Sequence, residues 1–268
     1  MKLKLGHMVS LRDHSQISVH GSDFTELLLF SGDRERYDFA ELRSLSREVK
    51  PVARFVHAQE FISHNGREVL VDLASEDEAI RSKSVEMVGF ARELATSLGS
   101  AMVVVHPGGI RKKAGDRERL LRNLERSLDE LGRSRLLLEN MPWFYWEKGK
   151  GRMVSSVCVG LDDLKMFEDL VEGYTLDVCH GYLSRPEGDP GFVGAFLHLL
   201  GPSTLHLHVS DARAPDSEGL QIGDGSIDFS FLSQVDVPVV IEVWKGHENG
   251  GEGFRTGIER LRALSARA

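Results

Sequence analysis

Histidines and carboxylates stand at or near the ends of short apolar runs throughout the chain. The runs read FVH, MVVVH, RLLLE, YTLDVCH, TLHLH and PVVIE. The polar residues at their ends are His57, His106, Glu139, Asp177, His180, His208 and Glu242. Because zinc and manganese both bind imidazole nitrogen and carboxylate oxygen, this pattern predicts a metal site if the fold brings the ends of the runs together.

The apolar runs alternate with amphipathic helical patterns, which is typical of βαβ units in an α/β protein. Eight runs are predicted as strands, at 2–9, 25–30, 52–57, 101–106, 135–139, 173–178, 204–209 and 238–243. Eight parallel strands fit a closed barrel, in which the C-terminal ends of all strands share one rim. The candidate ligands are therefore expected to converge in one pocket on that rim.

Two helices between these strands have clear patterns. The first is predicted to begin after Ser75, with Ser75 and Glu78 forming a capping box, and to end at Gly99. The second is predicted to begin near Asp116 and to carry a stripe of leucines on one face. Further helices are expected near 161–171, 190–200 and 254–266.

Length and composition limit the classes of protein that fit. The 268 residues suit one barrel of about 250 residues, so we expect a single domain over 1–268. A net charge of -8 argues against a generally basic nucleic-acid binder and leaves a local basic rim open. The two cysteines, Cys158 and Cys179, indicate a reducing, cytoplasmic compartment. No apolar run approaches the roughly 20 residues of a membrane helix, so no membrane partner is expected.

Two metal subsites are predicted within the candidate ligands. The carboxylate-rich subsite consists of Glu139, Asp177, His208 and Glu242. His57 and His106 would hold a second ion, with Glu139 bridging the two. Of the two histidines in TLHLH, we expect one to face the barrel interior and the other to face the helices, and we assign His208 to the site.

The two subsites leave two reactions open. A pair of ions would clamp the attacking and leaving oxygens of a phosphoryl centre. A single ion in the carboxylate-rich subsite would instead polarise a sugar carbonyl, with Glu139 and Glu242 as acid and base on opposite faces of the substrate.

Several segments resemble the endonuclease IV family, which belongs to the xylose-isomerase-like group of TIM barrels. They are LGHMVSL, HAQEFI, the stretch 71–109, LLLEN, TLDVCHGY, LHLHVSDA, IGDGSID and VVIEV, in order over the whole chain. The resemblance implies a (βα)8 TIM barrel that carries up to three zinc ions and cleaves the phosphodiester 5′ to an abasic site in DNA. It also implies His57, His106 and Glu139 at a first ion.

The resemblance assigns the remaining ligands to a second and a third ion, and the ligands of the third are incomplete in this chain. It puts the carboxylate-rich set at a second ion, and His180 at a third. The family completes the third site with an Asp-x-His pair, but Ser217 and Gly219 stand at those positions here. Asp216 and Glu218 are the candidates to replace them. This departure predicts one or two zinc ions rather than three, with manganese as the alternative metal.

Candidate substrate-binding residues lie in the segments after the strands. Arg34 and Arg36 in FSGDRERY are expected to contact phosphate. Segments 143–156 and 211–227 are predicted as long loops that help to build the site. In the first, Trp143 begins an aromatic run that could stack a base or a sugar ring, plug the pocket or contact a subunit. In the second, Arg213 is expected to bind substrate hydroxyls or phosphate.

Three functions remain open on the sequence. The first is a metal-dependent phosphodiesterase that acts on abasic DNA. The second is an isomerase or epimerase of a sugar or sugar phosphate, in which Glu139 and Glu242 move the proton and His180 and Arg213 bind the substrate. The third is a non-catalytic metal-binding barrel. Glu139, Glu242 and His180 are the predicted catalytic residues.

Overall fold

The computed structural model of the protein describes residues 3–12, 21–38, 40–41, 44, 53–99, 101–147 and 151–265. Eight parallel strands form a closed barrel: β1 (Leu5–Ser10), β2 (Phe24–Leu28), β3 (Ala53–His57), β6 (Met102–Val105), β8 (Leu136–Glu139), β11 (Gly173–Asp177), β12 (Thr204–Val209) and β15 (Val239–Ile241). They pair in chain order, and β15 closes onto β1. The predicted (βα)8 barrel is confirmed, with every strand close to its predicted position.

The barrel strands are apolar on both faces because one face fills the barrel and the other packs against the helices. In β8, for example, Leu136, Leu137 and Leu138 are all fully buried. Parallel strands covered on both sides typically read as continuous apolar runs rather than as alternating patterns. Polar residues at the ends of such runs are therefore forced onto the rim.

The helices around the barrel whose bounds the structure defines are α1 (Asp33–Arg36), α2 (Glu78–Ser97), α3 (Arg117–Leu131), α4 (Leu161–Met166), α5 (Val178–Tyr182), α6 (Phe192–Leu200) and α7 (Glu248–Ser265). Short 3-10 helices cover Gly201–Ser203 and Phe229–Gln234. The predicted helices are present, but α4 is shorter than expected. Helix α7 begins earlier and is interrupted at Asn249–Gly251 by left-handed backbone. No helix in these ranges is long and apolar enough to cross a membrane.

The predicted cap of α2 is wrong. Asp77, not Ser75, is the N-cap residue, and its side chain accepts hydrogen bonds from the backbone N–H groups of Ala79 and Ile80. The Ser75 hydroxyl instead accepts a hydrogen bond from the backbone of Asp77. Both residue types are good caps, and the carboxylate lies two positions closer to the helix.

Three hairpins lie on the C-terminal rim, and two of them fall in segments that were predicted as loops. Strands β9 (Phe144–Glu147) and β10 (Gly151–Ser155) pair with each other, and β10 also pairs with β7 (Ile110–Arg111). Strands β13 (Asp211–Arg213) and β14 (Ser217–Leu220) form the second hairpin. The third joins β4 (Phe61–His64) to β5 (Arg67–Leu70). Phe144, Tyr145 and Trp146 favour a strand, and the loop prediction overlooked that propensity.

A buried carboxylate holds the segment after β12 in place. Asp211 is 1% exposed, and its Oδ2 accepts hydrogen bonds from the backbone N–H groups of Gly223 and Gly225. Its Oδ1 accepts from Ala212 and Ile227. This side chain therefore ties the turn at 222–225 to the hairpin that carries residues 217–219.

We expect Asp211→Asn to lower the free energy of unfolding by about 1–3 kcal/mol, because an amide nitrogen facing backbone N–H groups leaves buried donors without acceptors. Urea unfolding monitored by circular dichroism measures the change. Asp236→Asn, at an exposed position, is the matched control and should alter stability by less than about 0.5 kcal/mol. Equal stability of the two variants would contradict this account.

Candidate metal centre

The predicted ligands converge at the C-terminal rim of the barrel. His57, Glu139 and Asp177 are the last residues of β3, β8 and β11. His106 and Glu242 directly follow β6 and β15. His208 lies in β12, and His180 lies in the short helix α5 that follows β11. The barrel thus delivers each side chain from one of its strands, or from the turn directly after it.

Glu139 lies at the centre of this group. Its Oε1 is 3.4 Å from His106 Nε2 and 3.2 Å from His180 Nδ1. Its Oε2 is 3.7 Å from His57 Nε2 and 3.5 Å from His208 Nδ1. The carboxylate is fully buried, and neither oxygen has a hydrogen-bond partner within the described residues. Two atoms that each lie about 2.0–2.1 Å from a tetrahedral zinc ion are roughly 3.3 Å apart, so the spacings to His57, His106 and His208 are close to those of ligands around cations.

Hydrogen bonds to backbone carbonyl groups orient two of the histidines. His57 Nδ1 lies 2.8 Å from the carbonyl oxygen of Ala58, to which it donates when it carries the ring proton. That arrangement turns the Nε2 lone pair of His57 towards Glu139. His180 Nδ1 lies 3.0 Å from the carbonyl oxygen of Asn140, which leaves its Nε2 as the free nitrogen. Such outer partners fix the tautomer of metal-ligating histidines.

Four groups of described side chains have the spacing of metal ligands: the two predicted subsites, which share Glu139, and two overlapping groups, His57–His208–Glu242 and Glu26–His206–His208. His57, His106 and Glu139 each offer an atom within 4.8 Å of the others, and so do Glu139, Asp177, His208 and Glu242. His57 Nε2, His208 Nδ1 and Glu242 Oε2 are buried without a hydrogen-bond partner in the part of the chain that the structure describes. Since buried polar atoms without partners are costly, the donor set fits a divalent cation, which would satisfy all of them.

The expectation that His206 faces the helices is wrong. His206 and His208 are two positions apart in β12, so both side chains lie on the same face of the strand, and both are fully buried. The ring of His206 stacks on Phe55 with centroids 3.9 Å apart. Its Nε2 lies 3.1 Å from an oxygen of Glu26, a buried carboxylate of β2 that sequence reasoning missed. In the sequence, the signal for Glu26 was that it is the one charged residue in the run FTELL.

Glu218 is the candidate replacement that reaches the site. Its side chain is buried, and Oε2 lies 3.9 Å from His180 Nε2 with no hydrogen-bond partner among the described residues. Asp216 instead pairs with Arg152 at 3.2 Å on the surface. His180 and Glu218 are only two groups, and no third ligand completes a cluster around them in the described ranges.

A cavity of about 170 Å³ opens above these ligands. Besides the ligands, its lining includes Glu60, Tyr145, Trp146, Glu218 and Trp244. The Tyr145 hydroxyl donates to Glu60 at 3.3 Å, whereas Trp146 and Trp244 are 46% and 60% exposed at the mouth. No lysine or arginine of the described chain lines this cavity. The space beside the ligands is therefore acidic and aromatic.

The predicted substrate-binding residues lie elsewhere. Arg34 pairs with Glu86 of α2, and Arg36 lies over the ring of Tyr37. Trp143 lines a separate, larger cavity, and Arg213 donates a hydrogen bond to the carbonyl oxygen of Asp224. None of the four lines the cavity above the ligands. Lys148 and Lys150, which follow Trp143, lie outside the described residues.

Burial and electrostatic interactions shift the pKa values of the buried groups in opposite directions when no cation is present. Burial alone would lower the pKa of His57, but its interaction with Glu139 raises the pKa to about 9. Burial raises the pKa of Glu218 to about 7 and that of Asp177 to about 7. Burial opposes ionisation of Glu26 as well, yet His208 and His206 hold the pKa of this carboxyl well below its usual range.

The chain belongs to the xylose isomerase-like TIM barrel family, whose sequence profile matches residues 16–264. It is 30% identical over 221 residues to a protein of Thermotoga petrophila named "Probable endonuclease 4", and the match covers 73% of each chain. This agrees with the resemblance to the endonuclease IV family seen in the sequence.

Solved structures share the fold over nearly the whole chain. Endonuclease IV from Thermus thermophilus is 22% identical, with a TM-score of 0.64 over 99% of this chain and 100% of that one. A D-tagatose 3-epimerase-like protein is 21% identical, with a TM-score of 0.68 over 99% of both chains. At these identities the likeness establishes the barrel and leaves the reaction open.

We expect the purified protein to hold about two divalent ions per chain, one for each ligand set. Glu139→Gln should remove at least one of them, because the amide cannot bridge as an anion. Elemental analysis of chelator-free protein without affinity histidines measures the ratio. Asp216→Asn, outside the ligand sets, is the control, and equal metal content in both variants would contradict the shared role of Glu139.

We also expect the stability of the metal-free protein to fall as the pH rises from about 6.5 to 9. The folded-state pKa of His57 lies above its unfolded value, so its contribution is complete below pH 6.5 and is lost as the pH passes through about 9. Melting temperatures measured across this range test the sign. Saturating zinc should remove the decline, since a cation replaces the protons. A metal-free melting temperature that rises over the same range would disprove this.

Proposed function

We propose that the protein is a zinc-dependent phosphodiester hydrolase with two metal ions that share Glu139, and that its substrate is DNA with an abasic site. The observation that carries the proposal is that Glu139 belongs to two ligand sets, one with His57 and His106 and the other with Asp177, His208 and Glu242. A sugar isomerisation at one metal needs only the carboxylate-rich set. The paired histidines His57 and His106 are therefore the feature that favours hydrolysis.

The donor set is suited to a polyanionic substrate despite the acidic pocket. When bound, two divalent ions would neutralise charge on a phosphodiester and lower the pKa of water. The residues of the chain hold the geometry: the carbonyl groups of Ala58 and Asn140 fix the rings of His57 and His180. Glu218 lies beside His180 with a free oxygen, where it can accept a proton or a hydrogen bond from substrate.

The mouth of the cavity above the ligands has space for a substrate that extends beyond the metal ligands. A second cavity, of about 250 Å³, adjoins the first through Glu60, Glu242 and Trp244. Its lining adds exposed Phe30 and Lys245, an aromatic ring and a cation. Aromatic faces stack bases without sequence preference, and a lysine attracts a neighbouring phosphate. The relative named "Probable endonuclease 4" points to the same class of substrate.

One observation favours a second candidate, an epimerase or isomerase of a neutral sugar. The cavity above the ligands is small, and no lysine or arginine of the described residues lines it. Carboxylates such as Glu60 and Glu218 accept hydrogen bonds from hydroxyl groups, and indole rings pack against sugar rings. In this candidate Glu139 and Glu242 exchange the proton, and the fold shared with a D-tagatose 3-epimerase-like protein accommodates it.

We expect the zinc-loaded protein to nick a duplex that carries one abasic site, and His106→Ala to reduce the rate on the order of 100-fold or more, because it removes one ligand of a two-metal centre. Gel analysis of a labelled duplex gives the rate. His198→Ala, in α6 away from the rim, is the matched control and should cut at the wild-type rate.

The same preparations should be given free ketohexoses, with product formation followed by chromatography. Epimerisation that His106→Ala leaves intact, together with no nicking by the wild-type protein, would replace the hydrolase with the second candidate. Absence of both reactions in protein that holds two ions per chain would favour the non-catalytic barrel.

A further inference from the structure

A second layer of buried polar groups lies directly beneath the metal ligands. His208 uses one ring nitrogen towards the ligand cluster, where Nδ1 lies 2.8 Å from Glu242 Oε2. Its other nitrogen, Nε2, forms a 3.0 Å hydrogen bond with Oε1 of Glu26. Solvent does not reach this bond, because Glu26 and His208 are both fully buried. Glu26 comes from β2, a strand that supplies no member of the two ligand sets.

This contact determines which nitrogen of His208 is free. A carboxylate accepts hydrogen bonds, so Nε2 carries the proton and Nδ1 presents a lone pair to the ligand cluster. The carboxylate–histidine–metal arrangement orients the ring and makes the ligating nitrogen more basic. Among the described residues, the Nε2 bond to Glu26 is the hydrogen bond that His208 makes away from the cluster, so the orientation of the ring depends on this one partner.

The surroundings of Glu26 hold it rigidly. Its second oxygen, Oε2, lies 3.1 Å from His206 Nε2. His206 is itself fixed, because its ring stacks on Phe55 and its Nδ1 lies 3.2 Å from the hydroxyl of Thr175. Rotation of the carboxylate would break its hydrogen bond to His208 and move Oε2 away from His206, although Oε2 and His206 Nε2 do not form a hydrogen bond with each other. The barrel interior thus uses a buried charge to orient one ligand.

We infer that Glu26 is a positioning residue for the metal centre, acting through the tautomer and orientation of His208. The inference rests on the proposed metal centre and is independent of the reaction performed there. Of the two ions, the one held by the carboxylate-rich set depends on Glu26. The ion between His57 and His106 does not, because neither of those rings contacts Glu26 by a hydrogen bond.

The test compares three variants by zinc competition with a chelator. Glu26→Leu removes the hydrogen-bond acceptor of His208. It should weaken the binding of one of the two ions by about 10–100-fold and leave the binding of the other unchanged, as is typical for loss of a residue that orients a metal ligand. Glu26→Gln keeps a carbonyl oxygen for His208 and should recover part of that loss. Thr25→Val is the matched control on the opposite face of β2, where Thr25 is buried and its hydroxyl has no partner among the described residues.

A second readout separates positioning from general destabilisation. Cobalt substituted for zinc should give a visible absorption spectrum that changes in Glu26→Leu and not in Thr25→Val, since the spectrum reports the ligand geometry at the ion. The melting temperature of each metal-free variant is recorded alongside. If Glu26→Leu does not fold, the comparison of Glu26→Gln with wild type decides the question.

Each outcome has a distinct meaning. Wild-type affinity and an unchanged cobalt spectrum in both Glu26 variants would overturn the positioning role. A third ion that is bound by the wild-type protein and lost in Glu26→Gln, while the two rim ions stay bound, would overturn the positioning role in favour of a buried ion between Glu26 and His206. Wild-type protein that binds no metal at all would instead sink the proposed metal centre.

Discussion

The carboxylate of Glu139 is the constraint on which the rest of the site depends. It is fully buried, four imidazole nitrogens surround it at 3.2–3.7 Å, and neither of its oxygens has a hydrogen-bond partner among the described residues. An isolated buried charge is costly, so burial opposes ionisation of Glu139, yet its interactions with His106 and His208 hold its pKa well below the usual range. Cations on either side of the carboxylate would stabilise the same charge. The barrel supplies the frame, because only a closed ring of parallel strands brings ligands from strands so far apart in sequence to one rim.

Hydrogen-bond partners outside the two ligand sets orient the histidines. Backbone carbonyl groups orient His57 and His180, and Glu26 orients His208. Each of these partners belongs to a barrel strand or to the residue that follows one, so the orientation of the rings is set by the most rigid part of the fold. The substrate side is different. It is built from hairpins on the rim, and there Ser217 and Gly219 stand at the positions where the resemblance to the endonuclease IV family leads one to expect an Asp-x-His pair.

The barrel and the candidate ligands could be predicted from the sequence for a physical reason. Strands buried on both faces are nearly uniform in apolar residues, so His57, Glu139 and Asp177 mark their ends clearly. Glu26 and His206 lie inside such runs rather than at their ends, so the pattern that identified the other residues did not select them, and their roles follow from their contacts. Trp244 and Glu60 were missed because a pocket wall depends on how hairpins fold over the rim, which local pattern does not determine. The same limit explains why Arg34 and Trp143 lie away from the cavity above the ligands.

Anomalous diffraction from a zinc-soaked crystal shows directly whether two ions flank the carboxylate of Glu139. We expect two peaks in the anomalous difference map, one on the side of His57 and His106 and one on the side of His208 and Glu242. A single peak among Glu139, Asp177, His208 and Glu242, with His57 and His106 free of metal at saturating zinc, would contradict the shared centre and the hydrolase that rests on it.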